Sequence, residues 1–155
     1  MCLRNVVRIT NKREKSGYGY KICKPPLEMH LGQEYYSGNR CSGLYHDTTY
    51  DVGVLYEAES LSPAGSARMH LSEHYNKGFH IYRTLRDAQT AFMIMKQSMI
   101  VMRPELWCMK VKYEDAQYEG FDNTRDDTVY IQCVVANKIT FLERVEPFDA
   151  QLAIE

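Results

Sequence analysis

Three of the five histidines, His70, His74 and His80, lie within eleven residues of one another in the segment HLSEHYNKGFH. His70 and His74 would share one face of a helix, and the imidazole nitrogens of such a pair are common zinc ligands. The usual helical zinc motif also has a glutamate directly after the first histidine, where this chain has Leu71. Because no carboxylate or thiolate completes a ligand set at a familiar spacing, we predict no metal site and expect exposed or hydrogen-bonded histidines.

A second group of residues combines the segment GLYHDT, which contains His46, with the segment GFHIY and a helix predicted to follow it. This order resembles the ADP-ribosyltransferase pattern, in which a strand with Leu-Tyr-His-Gly-Thr precedes a strand with glycine and an aromatic residue. The resemblance implies an enzyme that uses NAD as its cofactor, with His46 holding the ribose. In that interpretation Tyr82 or Phe79 would stack on the nicotinamide. Glu114 or Glu143 would stabilise the oxocarbenium-like centre.

The sequence departs from the transferase pattern in two respects. Asp47 replaces the small glycine that lets NAD approach, and no acidic residue lies in a recognisable catalytic motif. The GFH segment also has a structural explanation, because Gly78 can form a positive-φ turn while Phe79 and Ile81 point into a core. Thr84 can then begin the helix as its N-cap. We therefore expect a binding protein rather than an enzyme, with the NAD-dependent transferase as the alternative.

The most acidic part of the chain, YEDAQYEGFDNTRDD, interleaves carboxylates with aromatic rings. Acidic side chains with embedded aromatics can occupy a basic nucleic-acid groove on another protein, where charge steers the approach and the rings anchor the complex. The alternative is a solvated turn between two strands. We predict that this loop binds a partner protein through Glu114, Asp115, Tyr118, Glu119, Phe121, Asp122, Asp126 and Asp127.

Charge is unevenly distributed along a chain whose net charge is only −1. Residues 1–24 contain seven basic residues and one acid, a net charge of +6, whereas residues 105–155 contain eleven acids and five bases, a net charge of −6. Such asymmetry concerns charged partners rather than the fold. The basic N-terminal segment, which also contains Tyr18 and Tyr20, is a secondary candidate for direct contact with nucleic acid.

One helix and several strands are predicted by periodicity. Leu85, Ala88, Phe92, Met95 and Met99 recur at three-to-four spacing, which predicts an amphipathic helix from Leu85 to about Ile100. Asp87, at the third helical position, suits the positive N-terminal dipole. Alternating apolar residues predict strands at Tyr18–Cys23 and near 106–113, 129–135 and 138–145.

These elements predict an α+β fold in a single domain spanning residues 1–155, with an antiparallel sheet and one main helix packed on it. Met95→Asp should unfold such a protein, because the buried charge would lack a partner. The five cysteines are scattered and contain no C-x-x-C pair, which favours reduced, mostly buried thiols in a cytoplasm. No run of about 18 apolar residues is present, so we expect no membrane partner.

The chain resembles a family of short phage and bacterial proteins that begin Met-Cys, contain a YKI strand, a central GFH before a helix with an Asp-Ala pair, and a YxG turn before a final strand. The family has no known activity, and this sequence inserts the acidic FDNTRDD after the turn. The resemblance implies a phage origin. We expect a protein that blocks a host defence factor, such as a CRISPR-associated nucleic-acid-guided nuclease, in the manner of an anti-CRISPR protein. The matching residues are Met1, Cys2, Tyr20 to Ile22, Gly78 to His80, Asp87, Ala88, Tyr118 to Gly120 and Ala136 to Ile139.

Overall fold

The computed structural model describes residues 3–25, 40–43, 48–58, 78–98, 106–122 and 130–146. Within these ranges the chain forms eight strands, one α-helix and a single turn of 3-10 helix at Lys12–Glu14. In chain order the elements are β1 (Leu3–Arg8), β2 (Gly17–Cys23), β3 (Arg40–Ser42), β4 (Thr49–Asp51), β5 (Leu55–Glu57), β6 (Phe79–Tyr82), α1 (Leu85–Ser98), β7 (Trp107–Asp122) and β8 (Gln132–Val145).

Strands β7 and β8 form a long antiparallel hairpin, in which 16 residues of β7 face 14 residues of β8. The predicted strand near 106–113 continues to Asp122, and the two strands predicted near 129–135 and 138–145 form the single strand β8. The prediction that the acidic segment is a loop was therefore wrong for Tyr113 to Asp122, which belong to β7. Residues 123–129, between β7 and β8 in sequence, lie outside the described residues.

A kink at Asp115 explains why the sequence pattern ended too early. Asp115 has a φ of 54°, a conformation that aspartate tolerates better than most residues. Tyr113 and Ala116 consequently both join the interior core although they are three positions apart, and Ala136 and Ile139 do the same on β8. The alternation of buried and exposed positions changes phase here, so a strict two-residue period fails although the strand continues.

The sheet closes on itself through four strands. β2 pairs with the free edge of β7, β6 pairs with the free edge of β8, and Tyr20 of β2 faces Tyr82 of β6. The strands β7, β2, β6 and β8 thus form a small barrel, which β1 and β5 extend, while β3 and β4 form a separate pair. Gly19 permits the closure, because a Cβ there would lie 2.6 Å from both the Ile81 Cγ2 atom and the Tyr82 carbonyl oxygen.

Inward-facing side chains form one apolar cluster, which we term the interior core. Rings from β4, β6 and β8 contact one another here: Tyr50 stacks on Phe141 with centroids 4.9 Å apart and meets Phe79 edge to face at 6.1 Å. The interior core comprises Ile9, Cys23, Cys41, Tyr50, Ala58, Phe79, Ile81, Trp107, Met109, Val111, Tyr113, Ala116, Val134, Ala136, Ile139 and Phe141.

The outer face of the barrel is covered by α1, and we term this second cluster the helix layer. Thr84 caps the helix as predicted, since the Asp87 N–H donates to Thr84 Oγ1 at 3.1 Å. Among the residues that the structure describes, no helix is long and apolar enough to cross a membrane. The helix layer comprises Leu3, Ile22, Tyr82, Ala88, Ala91, Phe92, Met95, Leu106, Cys108, Ile131, Cys133 and Val135.

The predicted architecture of one helix packed on an antiparallel sheet is confirmed, although strands dominate the fold. The predicted helix is confirmed from Leu85 to Ser98, while Met99 and Ile100 lie outside the described residues. Cys23, Cys41, Cys108 and Cys133 are free and buried, as predicted. That residues 1–155 form a single domain stays a prediction.

Candidate partner-binding surface

Six of the eight predicted partner-binding residues lie on the second half of β7, between the kink and the end of the hairpin. The remaining two, Asp126 and Asp127, lie outside the described residues, as do His46, His70 and His74 of the alternative sites. The six residues differ in what their side chains contact. Asp122 is buried, Asp115 is exposed, and the other four are half-buried.

Glu119 connects β7 to the start of α1. Its Oε2 atom accepts a hydrogen bond from Arg83 Nη2 at 3.0 Å, in an ion pair whose side chains are both mostly buried. The Gln132 Nε2 atom lies 3.3 Å from the same oxygen, on the facing strand β8. A charge held by two neighbours in a partly buried setting positions the chain, and its availability to a partner is reduced.

Asp122 is the most enclosed of the predicted contacts, with only 4% of its surface exposed. The Tyr82 hydroxyl donates to Asp122 Oδ2 at 2.7 Å, and the Asp122 N–H donates to the Ile131 carbonyl at 2.8 Å. Asp122 thus ties the end of β7 to β6 and to the residue preceding β8. Tyr118 is half-buried and packs against the helix layer.

Phe121 is half-buried and belongs to an aromatic pair at the end of the hairpin. Its ring meets that of Tyr130 edge to face, with centroids 5.6 Å apart and an interplanar angle of 76°. Tyr130 is 63% exposed. Segment 123–129, which contains Asp126 and Asp127, joins these two residues in sequence. An exposed ring buttressed by a second ring, next to acidic residues, is suited to anchor in a pocket of a basic partner.

Tyr130 was missed in the sequence analysis, although its signal was present. Val129, Ile131, Cys133 and Val135 were assigned to one face of a strand, which leaves Tyr130 on the opposite face. Ile131 is indeed buried in the helix layer, while Tyr130 projects into solvent. An exposed tyrosine that directly follows an acidic segment is a better candidate anchor than the enclosed Tyr118.

Glu114 and Asp115 lie at the kink, away from the aromatic pair. Asp115 accepts hydrogen bonds from the side-chain amides of Gln117 and of Asn137, the latter at 3.3 Å. Glu114 faces Lys138 across the β7–β8 ladder. The Asp115 carboxylate therefore stabilises the bend in the hairpin, while the ammonium of Lys138 lies 4.0 Å from the Glu57 carboxylate.

Both candidate stacking rings of the alternative transferase site are buried. Tyr82 is 3% exposed and faces the helix layer, whereas Phe79 belongs to the interior core on the opposite face of β6. Phe79 and Ile81 thus point into the interior core, as the structural interpretation of GFH predicted. The His80 carbonyl accepts a hydrogen bond from Lys21 Nζ at 3.0 Å.

Several buried thiols and phenols are held in their uncharged forms. Burial raises the pKa of the Cys108 thiol to about 12 and raises that of the Cys133 thiol as well. Burial also raises the pKa of the Tyr113 phenol, which the guanidinium of Arg83 partly opposes. A thiol must ionise to act as a nucleophile, so Cys108 and Cys133 contribute packing. No cluster of three or more histidine, cysteine, aspartate or glutamate side chains that could hold a metal occurs among the described residues.

Comparison with known proteins finds no match: no family model fits the chain, and no curated protein or solved structure is similar to it.

Proposed function

We propose that this protein is a binding protein that contacts a basic surface of its partner through the end of the β7–β8 hairpin. The observation that carries the proposal is the contact between the exposed ring of Tyr130 and the half-buried ring of Phe121, which flank an acidic segment in sequence. Rings supply most of the binding energy at such interfaces, and a buried aromatic anchor contributes about 2 kcal/mol or more. We term Phe121 and Tyr130 the hairpin-end surface; the acids Asp126 and Asp127 lie between them in sequence.

The partner class follows from charge. Residues 105–155 have a net charge of −6, which favours a positively charged groove of the kind that holds nucleic acid. Together with the resemblance to phage proteins, this supports the inhibition of a host defence factor, such as a CRISPR-associated nuclease, in the manner of an anti-CRISPR protein. The protein would then occupy the site at which the nuclease holds guide or target strands.

Matched tyrosine variants test the proposal. Tyr130 and Tyr18 are equally exposed, at 63% and 62%, but Tyr18 lies on β2 beside Lys110 and Lys112 rather than at the hairpin end. We expect the wild type and Tyr18→Ala to retain a partner from host lysate, and Tyr130→Ala to lose it. That partner would then be purified and its binding kinetics measured. Equal retention by both variants would exclude the hairpin-end surface.

The kinetics with the purified partner separate charge from anchoring. Reversal of Asp126 and Asp127 to lysine should slow association, with a strong dependence on salt, whereas Phe121→Ala should mainly speed dissociation. Asp122 is excluded from the reversal, because its burial means that a lysine there would disturb the fold. Unchanged rates in both variants would contradict the proposal even if the partner is genuine.

The NAD-dependent transferase alternative has less support, since the two candidate stacking rings are enclosed. Calorimetry with NAD at about millimolar concentration, near the weak end of useful affinities, distinguishes the two functions. Heat of binding that is lost with His46→Ala in a folded variant would favour the enzyme. The proposed binding function requires no cofactor.

A further inference from the structure

The basic N-terminal segment lies along one edge of β7. Arg8 on β1 faces Tyr118, the Lys15 carbonyl accepts from the Ala116 N–H at 2.8 Å, and Tyr18 on β2 faces Lys112. From position 118 to position 110 this edge extends roughly 25 Å, at about 3.3 Å per residue. The contacts therefore convert a basic stretch of sequence into a continuous basic strip on the surface.

The strip contains cations with no acidic partner among the described residues. Arg8, Lys12, Arg13 and Lys112 are exposed, and none of them lies within 4.0 Å of a carboxylate in the part of the chain that the structure describes. By contrast, Arg40, Arg83 and Arg144 each pair with a carboxylate, namely Asp51, Glu119 and Glu146. Within the described ranges, four acids lie beside the strip. Glu14 is within the same segment and Glu143 faces Lys110. Glu119 faces Val7, and Asp115 precedes the Ala116 whose N–H bonds Lys15. We term Arg8, Lys12, Arg13, Lys15, Tyr18, Lys110 and Lys112 the basic strip.

Tyr18 supplies an aromatic ring within the strip. It is 62% exposed, and the Lys110 ammonium lies 5.8 Å from the centroid of its ring. A duplex keeps its bases stacked inside, so an exposed ring on a strand is suited to an unpaired base. Rings flanked by cations are the usual means by which proteins bind single strands without sequence preference.

We propose that the basic strip binds single-stranded nucleic acid, with Tyr18 stacking on a base and the lysine and arginine side chains contacting phosphates. The strip accommodates about four nucleotides, the lower end of the range for small β-barrel domains. The site uses none of the residues of the hairpin-end surface, so the two can be tested separately. Its position on β1, β2 and β7 also leaves α1 uninvolved.

Fluorescence anisotropy with a labelled thymidine oligonucleotide of about twelve residues tests the proposal at about 50 mM and 200 mM salt. We expect affinity to fall steeply as salt rises, because phosphate contacts release counterions. Tyr18→Ala should weaken binding about tenfold at both salt concentrations, while Tyr18→Phe keeps the ring and should restore it. Lys112→Gln should reduce the salt slope by about 0.7.

Two control variants match the test variants in exposure and lie elsewhere. Tyr130→Ala removes an equally exposed ring at the hairpin end, and Lys96→Gln removes an exposed lysine from α1. Both should bind the oligonucleotide as the wild type does. Absence of binding at low salt would overturn the proposal. So would affinity for heparin or duplex DNA equal to that for the single strand, together with no effect of Tyr18→Ala.

Discussion

The interior core and the helix layer lie on opposite faces of the same strands, yet they are built differently. The interior core comprises only apolar and aromatic side chains and thiols, drawn from the barrel strands, from β3 and β4, and from the positions just after β1 and β5. The helix layer is contacted by a buried carboxylate, because the hydroxyl of its Tyr82 donates to Asp122. Ala88 and Ala91 in α1 allow the helix to approach the sheet closely.

The two clusters stabilise the same sheet in different ways, one through apolar contacts alone and the other with a hydrogen bond as well. Apolar contacts in the interior core are non-directional, so they stabilise closure without selecting a single partner for each residue. The Tyr82–Asp122 hydrogen bond is directional and joins residues 40 positions apart in sequence. We infer that the interior core supplies most of the burial, while the hydrogen bond fixes the end of β7 against β6.

Met95→Asp should have the largest effect, and we expect it to unfold the protein. Met95 is buried on the face of α1 that packs on the sheet, so the substitution loses apolar burial of about 2–5 kcal/mol and leaves a charge without a partner. Domains of this size are stable by only about 5–15 kcal/mol. Circular dichroism during heating measures the effect.

Met93→Asp is the matched control, because Met93 lies on the same helix and is 42% exposed. A surface substitution of this kind should change stability by less than about 0.5 kcal/mol. If Met95→Asp melted at the same temperature as Met93→Asp, the packing of α1 on the barrel would be wrong.

Tyr82→Phe should have an intermediate effect, because it removes the hydroxyl that bonds Asp122 and keeps the ring in the helix layer. Loss of a buried hydrogen bond to a carboxylate costs about 1–3 kcal/mol, which urea unfolding can measure. Asp122→Asn keeps an acceptor oxygen and should cost less. If Tyr82→Phe were as stable as the wild type, the hydrogen bond to Asp122 would not contribute to stability, and the two clusters would not differ in this respect.

Raising the pH should have the smallest effect on stability for each titrating thiol, and it should destabilise both clusters. Burial raises the pKa of Cys108 in the helix layer to about 12, and the pKa of Cys41 in the interior core is also raised, chiefly by a hydrogen bond with Cys23 and by burial. The unfolded chain loses these protons near pH 9, so the stabilisation is complete below that pH and is lost as the pH rises toward 12.

Urea unfolding at about pH 7 and pH 10, under reducing conditions, measures this loss. Between the two pH values, the free energy of unfolding should fall by about 1 kcal/mol less in Cys108→Ala than in the wild type. If the free energy of unfolding fell by the same amount in Cys108→Ala and in the wild type between pH 7 and pH 10, this thiol would not titrate on unfolding.

The candidate surface was only partly predictable from sequence. Phe121 is half-buried and contacts the exposed Tyr130, whereas Glu119 and Asp122 were assigned to the surface because their types are usually exposed. Their partners Arg83 and Tyr82 lie more than 30 residues away, and no local pattern connects such positions. The continuation of β7 beyond Asp115 was not predicted either, because the kink at Asp115 takes effect through pairing with the facing strand β8.

Taken alone, the sequence determined the features that depend on near neighbours. The apolar stripe of α1, its Thr84 cap and the alternation from Trp107 to Tyr113 all follow from spacings of two to four residues. Tertiary structure alone decided that β2 meets β6, where Gly19 leaves room for the Tyr82 carbonyl. It also decided which carboxylates are buried and which stay accessible to a partner protein, because closure of the sheet brings together residues that are distant in the chain.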